Sequence, residues 1–417
     1  MASWQTWWLV KVVKARYNYR LRVKKEGAAK LQAVYDTNRW VWNQALGRWG
    51  ELWREEGLSC SYRDMDKELT DWRGAKEWLG SQPSVPQQQV LRDLAKAVSA
   101  FFDKDNPAGR PRFKKKRDGY SSARWTKRGF SVSGDRLEVA VEGGRLPLRV
   151  VWSRPLPSEP SMVTVHRDKV GHWWASFVVE VQVPEAKEPE PSSCTGLDVG
   201  LETFATTEDA PSDVQNPRFA RRAAKAIARS QRAVSRKKKG SANRAKAKHL
   251  LAREHARVAN RRSDFAHKAS RELVSAYSAI GVEKLRAKDM ARRGKPGNRR
   301  RKAGLNRAIS DASWASFLAT LSWQAAKAGT LVVALPAEGT TQTCSSCGAR
   351  AKPRIELSDR VFSCCSCGLV LGRDRNSARN LNPARYLGLY GGTEPVRDHP
   401  RGDEGTKPSV PAGTLAA

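Results

Sequence analysis

Nine residues near the start of the chain, "ARYNYRLRV", alternate strictly. Ala15, Tyr17, Tyr19, Leu21 and Val23 share one side, and Arg16, Asn18, Arg20 and Arg22 share the other. That period of two predicts a half-buried strand with a basic outer face. The period then lengthens: Leu31, Val34, Tyr35, Val41, Trp42, Ala45, Leu46, Trp49, Leu52 and Trp53 recur at helical spacing up to Gly57, and "VLRDLAKAVSAFF" repeats the pattern near residue 95. Residues 26–103 therefore read as mostly helical. Strand signals return after the basic "GRPRFKKKRDG", in "DRLEVAV", "LPLRVVW", "SMVTVHR" and "WASFVVEVQV", with Gly143-Gly144 and "DKVG" as turns. The pattern predicts a small β-barrel-like unit, 1–25 and 104–183, into which the helical unit 26–103 is inserted.

The stretch "VPEAKEPEPSS", with three prolines and no apolar period, reads as a linker over 184–193. From Cys194 onward the pattern alternates. "CTGLDVGLETFATT" is a strand and turn, 217–278 are long helices, and "AIGVEKL" is a buried strand. "SDASWASFLATLSWQAAKAG" is an amphipathic helix with Ser310 or Asp311 as its cap, and "TLVVALP" is another strand. This is an α/β domain, so the whole chain is α/β and α+β multidomain. From Gly391 the sequence is rich in proline and glycine without periodicity, and 391–417 is expected to be disordered.

Length and charge sharpen this picture. At 417 residues the chain exceeds what one core fills, so two to four units are expected. Lys plus Arg number 76 against 42 Asp plus Glu, a net +34. Such a field repels itself unless a polyanion neutralises it, which makes nucleic acid the leading partner. A membrane-surface role is the competing reading, but no run of about 18 apolar residues exists, and Lys11 and Lys14 interrupt the apolar opening "WWLVKVV". Neither a signal peptide nor a membrane span is expected. Five of the seven cysteines crowd into residues 344–367, while Cys60 and Cys194 stand alone. That is metal usage in a reducing, intracellular compartment, not a disulfide framework.

Cys344, Cys347, Cys364 and Cys367 have the spacing of a four-thiolate zinc ribbon over 341–370. Four soft ligands leave no position for water, so one Zn2+ would hold a fold and do no chemistry. Cys365 is a bystander, since adjacent residues cannot both aim at one tetrahedral metal without strain.

Three carboxylates carry more information. Asp198 in "GLDVGL" is flanked by Leu197 and Val199, which favour burial, and Glu283 ends the apolar strand "IGVEKL". Asp374 in "GRDRNSARNL" opens an apparent helix, seven residues after the last ribbon thiol. Each alone has a plain structural explanation, as a cap or a satisfied partner. Three in an α/β domain of a highly basic protein are what a pair of divalent cations requires to activate water and stabilise the leaving oxygen in phosphodiester cleavage. Hard oxygen ligands suit Mg2+ or Mn2+.

Residues 218–262 hold 17 Lys plus Arg against one acid, Glu254. Arg221, Arg222, Arg236, Lys237, Lys238, Lys239, Arg261 and Arg262 are candidates for contact with a nucleic-acid backbone. Arg112, Lys114, Lys115 and Lys116, interleaved with Phe113, Tyr120 and Trp125, suit phosphate contact plus base stacking. Most of the fifteen tryptophans, including Trp40, Trp42, Trp49 and Trp53, are assigned to the core. The six histidines show no metal-ligand spacing.

"GLDVGLETFATT", "NPRFARRAAKAIARSQRAVSRKKKG", "VANRRSDFAHK", "IGVEKL", "ISDASWASF", "TTQTCSSCG" and "CSCGLVLGRDRNSARNL" together resemble the TnpB family of transposon-encoded nucleases, kin to the miniature type V CRISPR effectors. The likeness runs from about Tyr17 to Leu389 and is dense from residue 194. It implies an N-terminal wedge barrel with an inserted helical recognition unit, then an RNase H-like (RuvC) nuclease domain over 194–340 and 371–390 that carries the ribbon as an insertion. It implies Asp198, Glu283 and Asp374 as the metal-binding triad, guide RNA and double-stranded target DNA as partners, and cleavage beside a short flanking motif. A cytoplasmic, nucleoid-associated protein of a bacterium or archaeon is expected. The chain departs from the family at Gly372-Arg373-Asp374, where Asp-Arg-Asp is common. Asn376 and Asn380 keep the family register and assign the metal role to Asp374. Two other readings are a guided DNA-binding protein without cleavage and a strand-transfer transposase. The retained triad disfavours the first, and the chain order Asp, Glu, Asp disfavours the second, whose carboxylates run Asp, Asp, Glu. Whether the guide comes from a transposon end or a CRISPR array, and whether the chain acts as monomer or homodimer, is left open by the sequence.

Overall fold

Strand β1 (Lys11–Arg22) buries Ala15, Tyr17, Tyr19 and Leu21 and exposes Arg16 and Asn18, as its alternation demands. The computed structural model describes residues 11–57, 61–103, 108–116, 121–285, 290–292, 294, 296–336, 338–356 and 358–386. The tail from 391, the opening "WWLV", Cys60 and Tyr120 lie outside them. The chain divides into two units, one made by Val12–Val181 and one by the chain from Gln182 onward.

In the first unit, helices α1 (Lys25–Glu55), α2 (Tyr62–Ala75), α3 (Glu77–Gly80) and α4 (Ser84–Phe102) follow β1 before the chain returns to strands. These are β2 (Ser122–Thr126), β3 (Phe130–Ser133), β4 (Arg136–Val141), β5 (Gly144–Val151), β6 (Met162–Arg167) and β7 (Trp173–Val183). The sheet order is β2-β6-β7-β1-β5-β4-β3, nearly closed as a barrel, with the helices as an excursion between its first two strands in sequence. The helices bury their own core: Val41, Leu46 and Trp49 of α1 cluster with Met65, Leu69 and Leu91. Trp42 and Trp49 are core, as expected, whereas Trp53 is 42% exposed.

The second unit contains β8 (Cys194–Val199), β9 (Thr203–Thr206), β10 (Val214–Gln215), α5 (Phe219–Ser235), α6 (Ala242–Ala276), β11 (Ala279–Glu283), α7 (Arg299–Ala312), α8 (Trp314–Ala328) and β12 (Leu331–Leu335). It continues with β13 (Val361–Ser363), β14 (Val370–Gly372), α9 (Arg373–Asn380) and α10 (Pro383–Tyr386). Its main sheet runs β10-β9-β8-β11-β12, with β8, β11 and β12 parallel and β9 and β10 antiparallel at one edge. One face of β8 and β11 presents Leu197, Ile280 and Val282 to Leu273 of α6 and to Phe317 and Leu321 of α8. Side chains alternate across a strand, so Gly196, Asp198, Gly281 and Glu283 lie on the opposite face.

One expected helix is two. The chain breaks at Ser313, which adopts a left-handed φ of 54°, and Asp311 belongs to α7. Its carboxylate caps another helix, accepting the N–H groups of Ala220 (2.8 Å) and Arg221 (3.1 Å) at the start of α5. A tertiary cap replaced the local one because Arg262 also reaches Asp311, at 2.8 Å, and holds it there.

Candidate active site

Two glycines set the geometry. A Cβ on Gly196 would stand 1.9 Å from the Ala378 carbonyl oxygen, and one on Gly281 would stand 1.8 Å from that of Leu381. The backbone of α9 and of its C-terminal turn thus lies directly on the sheet, a close approach that only glycine permits. Two residues beyond Gly196 on the same face comes Asp198, and one helical turn before Ala378 comes Asp374. Glycine contact at one end therefore brings the two aspartates together at the other. Glu283 follows from sheet register: β8 and β11 pair Gly196 with Gly281 and Leu197 with Val282, and the next step places Glu283 beside Asp198.

Electrostatics agree with this placement. The Asp198 carboxyl is pushed up to about 7, first by burial and then by the charges of Asp374 and Glu283, with Arg373 pulling the other way. Burial also raises Glu283. Arg373 donates to Asp374 Oδ1 through Nε (3.2 Å) and Nη2 (3.1 Å), which offsets part of the negative charge. The oxygens are not packed to ligand distance: among the described residues, the one group of three or more potential ligand atoms within 4.8 Å is the four-cysteine cluster.

That cluster is Cys344, Cys347, Cys364 and Cys367. Its Sγ atoms are 3.6 Å apart for Cys344 and Cys367 and 3.5 Å for Cys347 and Cys364. Bonds of about 2.3 Å in a tetrahedron set sulfurs about 3.8 Å apart, so the thiols fit zinc. The N–H groups of Cys367 and Ser366 draw the Cys364 thiol down to about 6, while burial holds Cys344 up and the neighbouring thiols push Cys347 up to about 12, so a metal bound here must displace protons. Phe362 fills the small core behind the thiols, and Cys365 is exposed and outside the cluster.

The basic candidates separate. Arg221 and Arg222 are exposed in the first turn of α5; Arg236 and Lys237–Lys239 are exposed where α5 turns into α6, and Arg261 is exposed on α6. Arg244 clips that turn by donating to the carbonyls of Val234 (3.0 Å) and Lys237 (2.6 Å). Arg262 is instead engaged by Asp311. In the first unit, residues 108–116 lie along α1. Trp42 donates to the Arg112 carbonyl at 2.9 Å, and Asn43 exchanges two bonds with the backbone of Lys114. Lys114 sits 3.7 Å from the Trp42 ring centre, and burial lowers its pKa to about 8, so it is a packed side chain. Arg112, Lys115, Lys116 and Phe113 are exposed. Trp125, expected to stack on bases, is fully buried, with its indole donating to the Ala140 carbonyl. The alternation of "SARWT" as a strand turned it inward.

Several residues that shape the site carry no signal of their own in the sequence. Gly196 and Gly281 are legible only once the helix is seen against the sheet. Arg375 bridges to Asp213 at 2.6 Å and donates to the Thr207 carbonyl at 2.9 Å, fixing α9 to the end of β9. Asn376 and Asn380, by contrast, are marked in the sequence by their spacing of four within "RNSARN", and both bond the ribbon.

Comparison with known proteins decides the family. A curated protein of Streptomyces pristinaespiralis, named "Putative RNA-guided DNA endonuclease", is 35% identical over 378 residues, covering 89% of this chain and 90% of its own. The chain belongs to the TnpB family. A protein of Escherichia coli K12 with the same name and the designation InsQ is 32% identical over 385 residues, covering 89% and 92%. Family patterns described as "Probable transposase", "Cas12f1-like, TNB domain" and "Helix-turn-helix domain" match residues 176–294, 314–381 and 13–57. The last name does not describe the structure there, where β1 leads into the single long helix α1. The fold is that of a Cas12f1 chain solved in complex with sgRNA and target DNA, at a TM-score of 0.57 and 15% identity over 86% of this TnpB chain and 83% of that one.

Proposed function

We propose that the protein is an RNA-guided DNA endonuclease that hydrolyses phosphodiester bonds at one RuvC-type site, next to a short flanking motif. The observation that carries this reading is that Asp198 and Glu283 stand at the C-terminal ends of neighbouring parallel strands, with Asp374 in the first turn of the helix packed on them and its charge felt at Asp198, in a chain whose near-full-length relatives bear that name. Asp198, Glu283 and Asp374 would hold Mg2+ or Mn2+, hard cations that supply water activation and stabilisation of the leaving oxygen. The donor set fits: it is all oxygen, and Asp198 resists its own charge because of burial and its acidic neighbours, a penalty that a cation relieves.

The chain's own residues bind and orient. Arg373 steers the Asp374 carboxylate, and Arg375, through Asp213, anchors the helix that carries it. The exposed cations of α5, α6 and their turn suit the phosphates of a heteroduplex, while base pairing by the guide supplies sequence. Cys344, Cys347, Cys364 and Cys367 would hold one structural zinc. The sheet of the first unit with its helical excursion is read as the family's wedge barrel and recognition insertion.

The test is plasmid cleavage with two guide RNAs and two matched targets, each beside the same library of flanking sequences. Cleavage should follow the guide with the protein unchanged. Cutting of both plasmids alike without RNA, at near-physiological salt, would sink the reading and leave a nonspecific metal-dependent nuclease.

A further inference from the structure

Asn376 and Asn380 are 0% and 4% exposed, one helical turn apart on α9, and they address one stretch of backbone. Asn376 Oδ1 accepts the Ser345 N–H at 2.9 Å, and its Nδ2 donates to the Thr343 carbonyl at 2.8 Å. Asn380 Nδ2 donates to the same carbonyl at 2.7 Å and to that of Thr340 at 2.8 Å. Arg385, on α10, donates to the Ser345 carbonyl. Between Thr343 and Ser345 stands Cys344, one of the four clustered thiols. The backbone on both sides of the first zinc ligand is therefore gripped by side chains of the helix whose first turn bears Asp374. The other end of α9 is tied to the same ribbon, since β14 runs straight into it and the Arg373 N–H donates to the Arg360 carbonyl at 2.8 Å. Buried amides whose partners withdraw are left unsatisfied, so ribbon and helix shift together or not at all.

We propose that Asn376 and Asn380 are positioning residues that lock the helix carrying Asp374 to the zinc knuckle, so that an intact ribbon is what places the third carboxylate. The lock rests on this geometry; its consequence for cleavage rests on the function proposed above. Coupling of this kind is reciprocal: what zinc does for the helix, the helix does for zinc retention.

Two measurements on the full-length chain with its guide RNA test this. Hydrogen exchange of the wild-type complex, before and after zinc is stripped, should show amides 373–380 losing protection together with those of 341–370. In the Asn376→Ala/Asn380→Ala variant, zinc should pass to excess chromogenic chelator at least tenfold faster, and the Mg2+ midpoint for plasmid cleavage should rise several-fold while guided DNA binding persists. Unchanged protection of 373–380 on zinc removal would overturn the proposal. So would wild-type zinc release from a variant that still binds guide RNA. If that variant fails to bind guide RNA, the wild-type exchange experiment decides. If the wild type proves not to cleave, exchange and zinc release still judge the lock, so the two readings fail separately.

Discussion

Asp198, Glu283 and Asp374 are three carboxyl groups that the fold gathers at one end of the sheet, and their removal should separate cleavage from binding. Asp198→Ala, Glu283→Ala and Asp374→Ala would each delete a ligand of the proposed cation site but little packing. Each is expected to abolish Mg2+-dependent plasmid cleavage while a gel-shift assay with guide RNA still shows target binding. Full-rate cleavage by Asp374→Ala would move the third ligand elsewhere. Gly196 acts by absence. In Gly196→Ala the added methyl would meet backbone at 1.9 Å, so helix α9 must move off the sheet. Loss of both cleavage and thermal stability is expected, the latter by roughly 1–3 kcal/mol, the scale of an overpacked core. Gly372 is the opposite case: it is exposed, at φ −56°, and a Cβ there meets nothing within 4 Å. It stands at the N-cap of α9, so Gly372→Asp, which restores the common family residue, should add a few tenths of a kcal/mol by capping and leave cleavage in place. A melting curve and the same plasmid assay check both glycine variants.

At the scale of elements, the ribbon gives the plainest prediction. Cys364→Ser should lose zinc and Cys365→Ser should keep it, because the first lies 3.5 Å from its partner thiol and the second points to solvent. Metal analysis of purified protein measures this, and zinc loss on changing Cys365 but not Cys364 would shift the ligand assignment by one. Thiol spacing and strand alternation are local signals, which is why the ribbon, β1 and the strand pair bearing Asp198 and Glu283 could be read from the chain. Other features depend on partners far away in sequence. Asp311 looked like a local cap and instead caps α5, 91 residues earlier, because Arg262 holds it there. Trp125 sits beside a basic stretch that suggested base stacking, yet strand alternation turns it into the sheet. The lysines of 114–116 look equivalent in sequence, but Asn43 and Trp42 pack the first and leave the other two exposed. What sequence could not supply in each case was the identity of the element on the other side of the contact.

For the whole molecule the governing quantity is charge. A chain with a net +34 binds any duplex through counterion release, and such binding is blind to base identity and steep in salt. The exposed turn between α5 and α6 concentrates Arg236, Lys237, Lys238 and Lys239; the backbone clip made by Arg244 fixes its shape, to which Arg236 adds one long bond, 3.4 Å to the Arg232 carbonyl. Replacing all four with Gln should therefore remove charge without unfolding the hairpin. If they neutralise phosphates, the slope of log K against log salt for an unmatched duplex becomes shallower by about 0.9 for each phosphate released from its cation, roughly 3 to 4 in all. Discrimination between matched and mismatched targets should not change, because pairing with the guide carries it. Anisotropy titrations across a salt series measure the slope, and competition between the two targets measures discrimination. A slope identical to wild type would place the phosphate track on other cations, such as Arg221, Arg222 and Arg261. A loss of discrimination with an unchanged slope would mean that this turn reads bases, contrary to a division of labour in which basic side chains hold the backbone and RNA chooses the sequence.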